Sequence, residues 1–357
     1  MLDPLPRQSL SQRAARWLSE AIAKGEWVDV LPGERALCQR LEVSRPVLRE
    51  ALQHLENTGA ISCEPNRPRR ILSAAHGSFR AKPKVIFLVG SEHLLEKNPN
   101  EPLITVTSES LSKHGIETEV RTHTSARPLL EKKDVRDTLW VLVTVSEPTQ
   151  RWFFERKIPA IVAGSTYPGI TLSSLDTDHR AVGRHAVGQL LRHGHRHIGI
   201  VVPDRPRAGD LETEEGFLEG LRLARYDDTT PTIIRSRVEP DELSRKLKRV
   251  LLAKNAPSAL LVCRAQLALT VLTFMHAAGL SVPEHLSLIS RDSAPFLSYT
   301  LPSIANYDHC QVTRARLLAR MILEPPVTPV VRRLLPKFAA GHSIGPFVSA
   351  LPTRFPR

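Results

Sequence analysis

Residues 31–59, LPGERALCQRLEVSRPVLREALQHLENTG, constrain what this chain can fold into more than any other segment. Leu37 and Leu41 lie four apart, as on one face of a short helix, and Glu42 and Val43 then break the pattern as a turn. Ser44 offers a side-chain oxygen to cap a second helix, in which Val47, Leu48, Ala51, Leu52 and Leu55 recur at helical spacing as a buried stripe. Pro46 suits the first turn, where no backbone donor is needed. Arg45, Arg49 and Gln53 fall outside the stripe. Arginines at the start of a helix oppose its dipole, so this placement fits a helix end that meets an anion or a base edge. Guanidinium forks bind guanine edges and phosphates, and the start of the second helix in such a pair is the part that enters a major groove. A solvated basic face on an ordinary helical hairpin is the alternative; cap, stripe and arginines together favour DNA.

These residues resemble the GntR-type winged helix, over residues 14–72. The entry reads Leu31-Pro32-Gly33-Glu34-Arg35, and the reading helix carries Val43-Ser44-Arg45-Pro46-Val47-Leu48-Arg49-Glu50-Ala51-Leu52. The resemblance implies that Arg35, Ser44, Arg45, Pro46 and Arg49 form the DNA-binding surface, Arg35 chiefly against phosphate. The wing departs from the pattern, because its tip, Glu64-Pro65-Asn66-Arg67-Pro68-Arg69, has no glycine. Asn66 tolerates a left-handed backbone and can make the turn. Arg67, Arg69 and Arg70 are then expected to contact phosphate rather than the minor groove.

The chain of 357 residues has room for two or three domains, and 41% apolar residues is ordinary for a globular protein. No apolar run approaches the roughly eighteen residues of a spanning helix, and the N-terminal residues lack the apolar core of a signal peptide, so a cytoplasmic protein is expected. Cys38, Cys63, Cys263 and Cys310 are far apart without metal-site spacing and read as reduced thiols. The formal charge is +12, and residues 65–84 hold Arg67, Arg69, Arg70, Arg80, Lys82 and Lys84 with no acid. That run suits phosphate contact or a charged linker equally.

Residues 75–83, small and polar and ended by Pro83, mark the linker between a head of residues 1–74 and a larger unit of residues 84–345; residues 346–357 read as a tail. After the linker, short apolar runs at 85–89, 139–145, 160–163, 198–202, 259–263 and 286–289 have the length of buried parallel strands. Helical patterns lie between and after them at 103–114, 178–193, 213–224, 241–254, 266–278 and 311–323. This alternation predicts an α/β region with parallel sheets, in two lobes, with ligand sites at the strand carboxyl ends.

The ordered series Asp176-Thr177-Asp178, Arg192-His193-Gly194-His195-Arg196-His197, Glu215-Gly216-Phe217, Gly279-Leu280-Ser281-Val282-Pro283 and Ser290-Arg291-Asp292 resembles the effector domain of the LacI/GalR regulators, which is related to periplasmic sugar-binding proteins. The resemblance covers residues 84–345. Joined to a GntR-type head, it implies a bacterial regulator, most often a repressor, that works as a homodimer on a near-palindromic double-stranded operator. It also implies a small-molecule effector between the lobes and no cofactor.

Several positions depart from the family's sugar pocket. Its arginine before the Gly-Phe pair is Thr213 here, its Asn-Asp pair is Arg264-Ala265, and only Asp292 remains of its Gly-aromatic-Asp-Asp segment. Two explanations compete: a different effector, such as an anion met by Arg264 or Arg291, or a pocket that has lost its ligand. Asp292, Asp178, Arg264 and Arg291 are the effector-side candidates. Helix capping is the alternative role for Asp178 and Asp292, and a surface position at a helix start for Arg264.

His193, His195 and His197 straddle a helix-to-strand turn without a carboxylate or cysteine to complete a metal site, so no metal is expected. Nucleotide, hydrolase and metalloprotease motifs are missing, and the pair Glu214 and Glu215 reads as a solvated helix start, so an enzyme is not expected. A ligand-binding sensor that does not regulate genes is the competing class.

Overall fold

The computed structural model describes residues 9–23, 26–27, 30–57, 60–62, 69–71, 84–90, 101–123, 138–224, 231–326 and 328–347. The 75–83 linker, most of the wing tip with Arg67, and Cys63 lie outside the described residues.

The head consists of helices α1 (Leu10–Ala23), α2 (Glu34–Leu41) and α3 (Arg45–Asn57), followed by strands β1 (Ile61–Ser62) and β2 (Arg70–Ile71), paired antiparallel. Glu42 adopts φ 52°, a left-handed residue that ends α2 and makes the turn. Leu48, Ala51, Leu52 and Leu55 are buried as the spacing predicts, and Val47 is half-buried. Leu48, Leu52 and Leu55 close on Leu18 of α1, Leu31, Leu37 and Ile61, and Ala51 packs on Ala14 and Ala15 of α1, so an apolar centre fixes the angle between α2 and α3.

From Lys84 the chain builds two six-stranded sheets. The first contains β3 (Lys84–Gly90), β4 (Thr118–His123), β5 (Thr138–Val143), β6 (Ala160–Ala163), β7 (Ser173–Thr177) and β13 (Val331–Leu334), in the order β13-β7-β6-β5-β3-β4. Every neighbouring pair in it is parallel. The second contains β8 (Ile198–Pro203), β9 (Thr232–Ser236), β10 (Ala259–Val262), β11 (Ser287–Ser290), β12 (Ala305–Asp308) and β14 (Lys337–Ala339), in the order β14-β12-β11-β10-β8-β9. Only β14 runs antiparallel there. Successive residues of the central strands face opposite layers. Phe87 and Val89 meet Leu318 and Ile322, whereas Ile86 and Leu88 meet Trp140 and Phe153.

Strand order requires three passages between the lobes. The first runs from β7 into α6 (His179–Arg192), which packs in the second lobe. The second runs from β12 into α10 (Gln311–Leu323), which packs on α4 (Glu101–Ser112) in the first lobe. The third is the two-residue step Leu335-Pro336 between β13 and β14.

The Gly216-Phe217 pair sits on α7 (Ala208–Leu223) against α6. A Cβ on Gly216 would stand 2.0 Å from the Arg180 carbonyl oxygen, and one on Gly183 2.4 Å from that of Thr213, so two glycines let these backbones touch. The expected helix at 213–224 therefore begins earlier, at Ala208, because its first turn is polar and carries little apolar periodicity. Helix α5 (Glu147–Glu155) and strands β4, β7, β9, β12, β13 and β14 were not predicted; most are short, edge-placed or polar on one side. The remaining paired helices are α8 (Pro240–Leu251) and α9 (Ala265–Ala277).

Gly216→Ala is expected to lower stability by about 1–3 kcal/mol through forced separation of α6 and α7, read as a lower urea midpoint. Gly188→Ala, on α6 where a Cβ meets nothing within 4 Å, is expected to stabilise by about 0.5–1 kcal/mol, and equal effects of the two would refute the packing argument.

Candidate functional site

Two surfaces carry chemistry. On the head, Ser44, Arg45, Pro46, Arg49 and Gln53 are exposed on α3, and Arg35 is exposed in the first turn of α2. The Ser44 carbonyl accepts from the Leu48 N–H at 3.0 Å as α3 begins. Glu34 ties the two helices together, accepting from Arg49 Nε at 3.0 Å and Arg69 Nη1 at 3.1 Å. Its partial burial raises its pKa, but the hydrogen bonds from Arg49 and Arg69 prevail and hold the carboxyl below its ordinary range. Arg69 also donates to Glu56 at 2.8 Å and is three-quarters buried. The expectation of phosphate contact is therefore corrected for Arg69: its guanidinium is used internally, fixing β2 to α2 and α3. Arg70 is exposed on β2.

Between the lobes lies a cavity of about 490 Å³, within the usual range for small-molecule sites. Its walls are the carboxyl ends of β6, β7, β10, β11 and β12, together with the first turn of α7. In the second lobe, Asp210 is wholly buried. Arg264 grips it as a fork, Nη1 to Oδ1 at 2.6 Å and Nη2 to Oδ2 at 2.7 Å, and Arg291 Nη1 donates to Oδ1 as well. The Arg207 N–H completes its shell at 2.8 Å. Burial pushes the Asp210 pKa up, but Arg264 and Arg291 outweigh it and hold the carboxyl down at about 2. Arg291 Nε donates to Asp292 at 2.7 Å, and Arg264 Nη1 stands 3.5 Å from the other Asp292 oxygen. Asp292 keeps 27% side-chain exposure and lines the cavity as its accessible carboxylate.

In the first lobe, Asp176 accepts from Ser165 Oγ at 2.9 Å, the Thr177 N–H at 2.8 Å and Arg314 Nη2 at 3.0 Å, with His179 Nε2 at 3.3 Å. His309 Nδ1 lies 2.9 Å from Thr177 Oγ1, and burial lowers the pKa of its ring. The lobes touch at the cavity edge. Glu212 of α7 lies 2.8 Å from Ser165 Oγ and accepts from Arg333 Nη2 of β13 at 2.8 Å, while Tyr167 and Ile170 pack on Ala208.

Of the sequence candidates, Arg264, Arg291 and Asp292 converge on this cavity. Asp178 does not. Its Oδ1 caps α6, accepting from the Ala181 N–H at 2.8 Å, so its effector role is corrected. Arg264 is 7% exposed rather than a surface residue, and its fork is occupied by Asp210. Asp292 caps nothing: the 3-10 helix Pro295–Tyr299 has Ala294 at its N-cap without a side-chain bond. Asp210, His309 and Arg314 were missed. The hint for Asp210 was an acid three residues after Arg207, in a turn whose weak periodicity hid the helix start. His195 serves structure, with Ser258 Oγ, Ser287 Oγ and the Gly345 carbonyl at 2.9, 2.9 and 3.1 Å. Among the described residues no group of three or more His, Cys, Asp or Glu is arranged to hold a metal ion, and no helix is long and apolar enough to cross a membrane.

Asp210→Asn leaves two buried guanidinium groups short of a counter-charge and is expected to cost about 3–5 kcal/mol in denaturant unfolding. Asp210 titrates lower when folded than its ordinary 3.8, so its contribution is complete above about pH 4 and is lost as pH falls towards about 2. The Asn variant should show a shallower loss of stability over that window; an unchanged acid limb would contradict the assignment.

Residues 10–71 match the family described as bacterial regulatory proteins, gntR family, and residues 187–344 match the periplasmic binding protein-like domain. The HTH-type transcriptional regulator Rv3575c of Mycobacterium tuberculosis is 25% identical over 56% of this chain and 61% of that protein. The HTH-type transcriptional repressor PurR of Haemophilus influenzae is 24% identical over 41% of this chain and 44% of the repressor. The chain thus spans about half the length of the curated relatives it matches. The solved complex of the transcriptional regulator CelR with cellobiose shares the fold at TM-score 0.63 and 18% identity, covering 94% of this chain and all of that one.

Proposed function

We propose that this chain, in which a gntR-type DNA-binding head is joined to a periplasmic binding protein-like domain, is a ligand-responsive transcriptional repressor rather than an enzyme. Boundaries at residues 1–74, 75–83, 84–345 and 346–357 are part of this reading. So are a cytoplasmic location, association with the nucleoid when bound to DNA, and a homodimer on a near-palindromic operator. The observation that carries it is the exposed face of α3, where Arg45 and Arg49 stand one turn apart at the helix start while the opposite face is buried in the head. Arg35 and Arg70 add exposed charge for phosphate.

The cavity supplies the response. A ligand that bridges the lobes favours their closed arrangement, and closure changes the relative placement of two heads in a dimer. That CelR is solved with cellobiose and that PurR is a repressor support a small-molecule effector and repression here.

Selection of genomic DNA fragments by the purified chain is expected to enrich one near-palindromic site. Arg45→Ala and Arg49→Ala should each cost about 1–3 kcal/mol of specific binding at fixed salt, with the fold intact. Enrichment of the same site by the double variant would remove α3 as the reader, and the absence of any site for the wild type would favour a sensor without DNA binding. Asp292→Ala is expected to abolish the response of DNA affinity to ligand; a surviving response would place the pocket elsewhere.

A further inference from the structure

Among the described residues five buried side-chain polar atoms lack a hydrogen-bond partner, and four of them, Thr144 Oγ1, His179 Nδ1, His309 Nε2 and Arg314 Nε, belong to residues lining the interlobe cavity. Buried polar groups are normally satisfied, so four unpartnered atoms on residues around one cavity point to a group supplied from outside the chain; His309 Nε2 faces the Asp292 carboxylate at 3.6 Å, beyond hydrogen-bond distance. The histidines and the arginine form one cluster. Arg314 and His179 share Asp176, the His179 and His309 rings are 5.8 Å apart, and His179 packs on Gly209, where a Cβ would stand 2.6 Å from its ring.

Their chemistry is specific. Arg314 Nε–H only donates, and Arg314 is 5% exposed. The first turn of the 16-residue α7 reaches the same cavity through Ala208 and Gly209, whose N–H groups have no intrahelical acceptor and lie at the positive end of the helix dipole. The lining holds four arginines, at 207, 264, 291 and 314, against three aspartates, at 176, 210 and 292. Against these donors stands Asp292, an accessible acceptor, with the Thr144 hydroxyl able to do either.

We infer that the cavity takes a small hydroxycarboxylate, its carboxylate met by Arg314 Nε and the first turn of α7, and its hydroxyls by Asp292, His309 Nε2 and Thr144. This rests on the reading of the cavity as the effector site, and it moves the anion contact from Arg264 and Arg291, which Asp210 occupies, to Arg314.

The test is calorimetric titration of the full-length protein with matched pairs: lactate and propylene glycol, glycerate and glycerol, gluconate and glucitol, glucuronate and glucose. At least one acid is expected to bind about ten-fold or more tighter than its neutral partner, at matched ionic strength. Arg314→Lys keeps a cation for Asp176 but lacks Nε–H, and should bind that acid about ten-fold more weakly while melting cooperatively. Neutral members binding as well as the acids, no acid binding, or undiminished acid binding by Arg314→Lys would each overturn the inference. DNA site selection by the same preparation is independent of this titration, so a failure here leaves the regulator reading standing and a failure there does not touch the ligand class.

Discussion

The threefold passage of the chain between its two sheets is the constraint on which the rest depends. Because β7, β12 and β13 each hand the chain across, the carboxyl ends of the strands in both lobes face one shared space. The residues at or beside the passages are those that line the cavity: Asp176 and His179 at the first, His309, Gln311 and Arg314 at the second.

Electrostatics divide the cavity into a fixed half and a responsive half. In the second lobe, Asp210 is closed on its two arginines with each of its oxygens occupied, and Asp292 supplies the second counter-charge. Such a buried cluster adds little net stability but is costly to break, so it sets shape rather than affinity. At the first two passages, Arg314, His179 and His309 each retain a buried side-chain atom without a hydrogen-bond partner. Where Glu212 reaches Ser165 and Arg333, the lobes are in contact across the cavity edge.

The fold was legible in the sequence wherever apolar periodicity was strong. Val85, Ile198 and Ala259 begin or lie in runs long enough to announce central strands, and Leu48, Leu52 and Leu55 gave the head its stripe. Edge strands such as β9 and β13 were not legible, because their side chains are half exposed and carry no apolar run. The site was legible in part. Arg264 and Arg291 stood out as departures from a family pattern and Asp292 as what remained of it, but their partner Asp210 is 54 residues from Arg264 and 81 from Arg291. Arg69 misled for the same reason: a basic residue in a basic run gives no local sign of the two glutamates that enclose it.

If the cleft and the reading helix belong to one device, ligand and DNA must be thermodynamically linked. The most direct measurement is the equilibrium affinity of the full chain for its selected DNA site, with and without saturating ligand at fixed salt, paired with ligand affinity measured on and off DNA. The account predicts a change of about 5–150-fold, of the same factor in both directions. Identical DNA affinity with and without bound ligand would contradict it, leaving a DNA-binding head and a ligand-binding domain that share a chain without communicating.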